Sequence, residues 1–294
     1  KELEPGLNAL FGLEYDRYDS EHAEIFDEES SDRAFEEDVM LSGFSTAPVK
    51  SEGGSVNFDD AQETYTARYT HETIALAFSI TEEAVEDNLY DRLAGRYTRA
   101  LARSMSQTKQ IKAAAVLNNA FTAGASAIGD GVALCSASHP TINGTQSNVL
   151  AVAADLNETS LEQMLIDVAG AKDERGLKVA IRGQKLIIPK ELQFVAERLL
   201  NSNLRPGSAD NDVNATKSMG MLPDGAVVNH FLTDTDAFYI KTDCPNGFKL
   251  FQRTPLRTAM EGDFDTGNMR YKARERYSFG VSDWRCVFGT PGAA

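Results

Sequence analysis

The chain is poor in the residues from which reaction centres and covalent frameworks are built. Its 294 residues include three cysteines, four histidines and one tryptophan. Cys135, Cys244 and Cys286 are odd in number and far apart, which argues against a disulfide framework and for a reducing compartment. The three Asn-x-Thr sites at Asn143, Asn157 and Asn214 then carry no glycosylation meaning. No apolar run approaches the ~20 residues of a membrane span, so no membrane partner is expected. The start, KELEPGL, has no apolar core of a secretory leader.

Motifs that would announce chemistry are equally scarce. Cys135 and His139 have the spacing of half a zinc site, but a closed site needs four ligands and there is no second local pair. His71 lies in an extended run and His139 precedes Pro140, so both read as hydrogen-bonded structural histidines. No G-x-S-x-G elbow marks a nucleophile. The run AGASAIGDG, with Gly124, Gly129 and Gly131, lacks the Lys-Ser/Thr of a phosphate-cradling loop, and its glycines read as turn residues. Asp263, Asp265 and Gly267 fail as a calcium loop, because glycine falls where a ligand is needed and Arg274 replaces the closing Glu. No catalytic residue, metal or cofactor is expected.

What is present is charge, unevenly spread. The net charge is −15, yet residues 1–43 hold fourteen acids and three bases, a balance of −11. A like-charged tail is usually solvated. This one interleaves its acids with Leu3, Leu7, Leu10, Phe11, Leu13, Tyr15, Tyr18, Ile25, Phe26 and Phe35, too many apolar groups for a purely solvating tail, so it reads as an arm that docks on something.

The strongest local signal is Thr81 to Thr122. Val85, Leu89, Leu93, Tyr97, Leu101 and Met105 recur every four residues and form one apolar stripe. Thr81 is placed to cap the start. Glu82, Glu83, Glu86 and Asp87 crowd the first turns, and Arg96, Arg99, Arg103, Lys109 and Lys112 the later ones, in the order that the helix dipole favours. Unbroken, the helix would span about 60 Å. Gly95 costs it about 1 kcal/mol relative to alanine.

Elsewhere the periodicity is two. Tyr65, Ala67, Tyr69 and His71 alternate with Thr64, Thr66, Arg68 and Thr70, which predicts a strand, with Ser55 to Phe58 as its partner. Gly124 to Asn148 reads as a long loop or small hairpin. Thr159 to Ala171 reads as a helix capped by Thr159 or Ser160, Lys178 to Ile188 as a buried strand ended by Pro189, and Glu191 to Asn201 as a further helix. Short strands are expected at Val227–Leu232, Ala237–Thr242 and Phe248–Gln252. In the last long strand, Met269, Tyr271, Ala273, Tyr277, Phe279 and Val281 point one way and Arg270, Lys272, Arg274 and Arg276 the other. That basic row is the best nucleic-acid candidate in the chain. Alternation puts its aromatic neighbours on the opposite face, away from any stacking role, which favours a salt-bridged surface.

Four segments, in this order, resemble the major capsid proteins of tailed bacteriophages, particularly the Mu-like head subunit group. They are the stretch from Phe78 to Glu83 (FSITEE), His139 to Thr145 (HPTINGT), the run KDERGLKVAIRGQKLIIPKEL from Lys172, and RYKARERYSFGVSDWR from Arg270. The resemblance implies an α+β shell fold in four parts. These would be an N-terminal arm (1–43), an extended hairpin loop (44–80), a peripheral domain with a long spine helix (81–150 and 256–294) and an axial α/β domain (151–255). It implies self-association as hexamers and pentamers into an icosahedral head, with portal and scaffolding proteins as partners. Packaged DNA would be held without sequence-specific contact, in a virion assembled in the host cytoplasm.

The residues expected between copies are Phe11, Tyr15, Tyr18 and Phe26 of the arm and Tyr65, Arg68 and Tyr69 of the loop. To these are added Arg96, Arg99 and Arg103 of the spine helix and Arg270, Lys272, Arg274 and Arg276 of the last strand. An encapsulin-like cellular shell and a monomeric hydrolase remain as alternatives.

Overall fold

The computed structural model describes residues 3–17, 19–86, 90–124, 128–205, 212–263 and 267–293. In chain order the helices are α1 (Leu3–Tyr15), α2 (Glu82–Glu86), α3 (Tyr90–Asn118), α4 (Glu158–Ala169), α5 (Gln193–Asn201) and α6 (Ala215–Met219). The strands are β1 (Asp27–Ser30), β2 (Phe35–Leu41), β3 (Glu63–Thr70), β4 (Glu72–Ile80), β5 (His139–Thr141) and β6 (Gly144–Gln146), then β7 (Gly183–Ile188), β8 (Ala226–Val228), β9 (Phe238–Thr242), β10 (Phe248–Gly262), β11 (Met269–Val281) and β12 (Val287–Thr290). Among the described residues, no helix is long and apolar enough to cross a membrane.

The chain folds as two compact units, one of residues 1–36, 70–113 and 250–279, the other of 37–69, 114–249 and 280–294. In the first, the sheet order is β1-β10-β11-β4. β11 runs antiparallel to β4 from Met269 opposite Ile80 to Tyr277 opposite Glu72. The alternation read in the sequence is realised, since Tyr271, Ala273, Glu275 and Tyr277 are buried while Arg270, Lys272 and Arg274 are exposed. The buried side meets two helices: Leu7 and Phe11 of α1 and Ala94, Leu101, Ala102 and Met105 of α3 pack with Ile80, Tyr271 and Ala273. Burial of this kind contributes about 25 cal/mol per Å² of apolar surface. Asn8 adds direction, its Oδ1 accepting from the hydroxyls of Thr258 (2.9 Å) and Tyr271 (2.8 Å).

The expected helix from Thr81 to Thr122 is thus two described helices, α2 and α3, the second ending at Asn118. Asp87 to Leu89, between them, lie outside the described residues, as does Tyr18. Thr81 does cap, its Oγ1 accepting from the Ala84 amide at 3.4 Å. At Gly95 an added Cβ would sit 3.5 Å from the Leu10 side chain, an ordinary contact, so the glycine is not required there.

In the second unit the sheet order is β12-β9-β7-β8, with β8 parallel to β7 and β9 antiparallel to both β7 and β12. Leu161, Met164, Leu165 and Val168 of α4 pack on Leu186, Ile188, Phe238, Ile240 and Phe288. The cap of α4 is Asn157, which exchanges hydrogen bonds with Ser160 in a reciprocal box (2.9 and 3.0 Å), so the expected caps Thr159 and Ser160 lie inside the helix. The partner of β3 is β2, not Ser55–Phe58. A hydrogen bond from the Thr64 hydroxyl to the Met40 carbonyl (3.1 Å) and an ion pair of Arg68 with Glu37 (3.7 Å) cross the pair. Residues 42–62 join the two strands without regular structure.

Candidate assembly surfaces

His71, His139 and the cysteines are used structurally. His139 is fully buried, stacked flat on Trp284 with centroids 4.4 Å apart. Its Nδ1 lies 2.6 Å from Asp130 Oδ2 and its Nε2 3.1 Å from Asn148 Oδ1. Asn148 in turn donates to the carbonyls of Leu134, Trp284 and Val287 and accepts from the Ser136 amide. Both ring nitrogens are therefore occupied, and neither is left for a substrate. His71 is likewise held by Ser31 and Ser278, each at 3.0 Å, and burial lowers its pKa. Arg285 is buried between Glu174 (2.7 Å) and Asp283 (3.1 Å). The three cysteines are free, and burial raises the pKa of each thiol, which suppresses the reactive thiolate. Among the described residues no group of three His, Cys, Asp or Glu is placed to hold a metal. Gly129 explains the glycine-rich run: its φ is +84° and a Cβ there would collide with the Thr66 carbonyl, so it serves backbone approach.

The aromatic residues expected between copies lie mostly inside their own unit. Phe11 is buried, stacked on Tyr15 and tilted against Tyr271. The Tyr15 hydroxyl donates to Glu275 Oε2 at 3.5 Å, and burial followed by that carboxylate raises its pKa. Phe26 meets Phe279 edge-on at 4.9 Å. Tyr65 and Tyr69 are buried, the latter bonded to the Ser282 hydroxyl. Burial is also the main reason the Tyr65 pKa is raised.

The expected basic residues, by contrast, reach the surface. Arg68, Arg96, Arg99 and Arg103 are exposed, and Arg103 lies 3.6 Å from Glu14 of α1. On β11, Arg270 pairs with Asp263. Lys272 and Arg274 stand exposed opposite Ala77 and Ala75 of β4, while Arg276, opposite Thr73, is half-buried. Toward β4 the neighbours of the row are thus small and uncharged, while the Arg270–Asp263 pair is of the salt-bridged kind expected.

Sequence reasoning missed one set of exposed apolar groups. Phe44, Val49, Val56 and Phe58 all belong to the segment between β2 and β3, with Val49 99% and Phe58 98% exposed. Their only sequence signal is a short strand-prone run at Ser55–Phe58 without a hydrophobic face to rest on. Asp59 closes the base of the segment by accepting from the amide and the hydroxyl of Ser45, both at 2.7 Å. Isolated exposed side chains need no account, whereas these four line one hollow formed by residues 44–59, and such a cluster marks an interaction surface.

A chain with two well-packed units, with His71 and His139 held in structural bonds and with four large apolar side chains exposed on one irregular segment, is built as a subunit of something larger. The matching family model is that of the phage capsid protein, over residues 64–289, and the chain belongs to that family. No curated protein matches the sequence. Among solved structures, the virus-like particle from Pyrococcus furiosus is similar over 99% of this chain and 100% of its own (TM-score 0.56, 9% identity). The capsid of a native GTA particle is similar over 94% and 92% (0.57, 12%), and the capsid of Myoviridae phage XM1 over 92% and 89% (0.54, 12%). The fold is that of tailed-phage major capsid proteins, and the protein is a structural component of a capsid, not an enzyme.

Proposed function

We propose that copies of this chain associate as hexamers and pentamers and close into an icosahedral head around double-stranded DNA. The observation that carries this reading is the segment from 42 to 62, which displays Phe44, Val49, Val56 and Phe58 to solvent in the single chain. Burying them against adjacent copies recovers apolar stabilisation that the subunit alone forgoes. In the proposed layout residues 1–43 are the arm, 44–80 the extended loop, 81–150 with 256–294 the peripheral domain and 151–255 the axial domain. Arg96, Arg99, Lys272 and Arg274 are the exposed bases offered to the acidic stretches of neighbours. Portal and scaffolding proteins are the further partners, the host cytoplasm is the place of assembly, and the four resembling segments support membership of the Mu-like group.

DNA is enclosed without sequence-specific contact. Phosphate binding needs basic surface, and acids outnumber bases both in residues 1–43 and, by a smaller margin, in the rest of the chain. A second reading is an encapsulin-like cellular shell, and the full-length similarity to a virus-like particle is compatible with a shell of either kind. Imaging purified protein by electron microscopy tests the shell itself, and the contents of native particles, genome or enzyme, separate the two readings. Deleting residues 1–30 should weaken assembly, and undiminished shell formation would remove the arm from the account.

A further inference from the structure

The sheet of the first unit ends in an unusual edge. β4 is the outermost strand, nine residues long, and its sequence ETIALAFSI carries charge only at Glu72. The opposite edge, β1, is four residues long and reads DEES, the short and charged form that discourages pairing with another chain. β4 is neither short nor charged along its length, and among the described residues no strand pairs with its outer edge. A long, apolar edge strand presents a row of main-chain donors and acceptors ready to pair with an incoming strand.

Its two faces differ in a way that specifies the partner. By register, Leu76 lies opposite buried Ala273 and shares the helix-covered face, yet is 47% exposed. Ala75 and Ala77 lie opposite Arg274 and Lys272 on the other face, short enough for both bases to reach across them. A strand added here should present apolar side chains on one face and small polar ones on the other. Ser55–Val56–Asn57–Phe58 has that alternation. Val56 (64% exposed) and Phe58 would fall on the Leu76 side, and Ser55 and Asn57 on the side of Lys272 and Arg274. This run is strand-prone in sequence, forms no strand in the single chain and already sits on the projecting segment.

We infer that Ser55–Phe58 of one copy adds as a fifth strand to the β4 edge of another, so that the sheet is completed in trans by strand addition. This rests on the shell reading and names the surface at which one copy receives the loop of the next. Its test uses full-length protein with partly exposed Cys244 changed to serine. Val56→Cys chains and Leu76→Cys chains are mixed, assembled and oxidised. Covalent dimers should form in shells and be absent from unassembled subunits, and a chain carrying both changes should give a ladder of higher oligomers. Shells that form without dimers, or a doubly changed chain that links only to itself, overturn the inference and leave the capsid reading standing. Wild-type protein that never forms shells overturns both. If the cysteine variants do not assemble, amide exchange of wild-type protein decides: residues 72–80 should exchange at least tenfold more slowly in shells than in subunits, and an unchanged rate overturns the proposal.

Discussion

Two long loop-rich segments of the second unit, 42–62 and 119–148, are both rich in Ser, Ala and Gly, yet they meet opposite fates. The later one is fastened from inside. His139 is sandwiched against Trp284, Asn148 bonds three carbonyls and an amide, and Gly129 gives way to the Thr66 backbone. The earlier one is fastened at its base, where Asp59 holds Ser45, Ser42 bonds Gln62 and Arg175 bonds the Asp60 carbonyl, and its apolar side chains face water. Buried polar groups that are fully paired fix one conformation, whereas an exposed apolar cluster is a debt that only a partner can settle. The comparison separates residues that serve the subunit from residues that serve the assembly.

Mutations should follow that division. Asn148→Ala strips partners from several buried main-chain groups and from His139, so unfolding in urea should show a loss of about 4 kcal/mol. Gly129→Ala forces a Cβ into the Thr66 carbonyl at positive φ and should cost about 3 kcal/mol, with the disturbance visible as faster exchange in β3. Asp59→Ala loosens only the base of the projecting segment and should cost about 1 kcal/mol, read as earlier proteolytic nicking within 42–62. Phe58→Ser should change subunit stability by no more than about 0.5 kcal/mol while abolishing assembly. Gly95→Ala, outside both segments, should stabilise the subunit by about 1 kcal/mol, because the added methyl finds room beside Leu10.

How far the sequence revealed all this depended on the range of the interaction. The spine helix was legible because a four-residue apolar spacing and dipole-ordered charges are local properties, and β11 because alternation over thirteen residues leaves one register that buries its apolar face. The β2–β3 pairing was not. Phe35–Leu41 reads as part of an acidic arm, and its partner lies beyond an intervening loop where Ser55–Phe58 offered a nearer strand-like run. The length of β10 was hidden by Pro255, which usually ends a strand but here takes an exposed position. Asn148 gave no signal at all, since one buried polar residue that collects bonds from distant segments has no periodicity. For the assembly surfaces the basic rows were visible as charge, but the burial of Phe11, Phe26, Tyr65 and Tyr69 was decided by tertiary packing.

The exposed segment between β2 and β3 serves other copies of the chain. Sedimentation velocity of wild-type protein and Phe58→Ser, run side by side under assembly conditions, measures this directly. Wild-type protein should sediment as large closed shells while Phe58→Ser remains folded and small. Equal assembly of the two, or wild-type protein that stays small under every assembly condition, would contradict it.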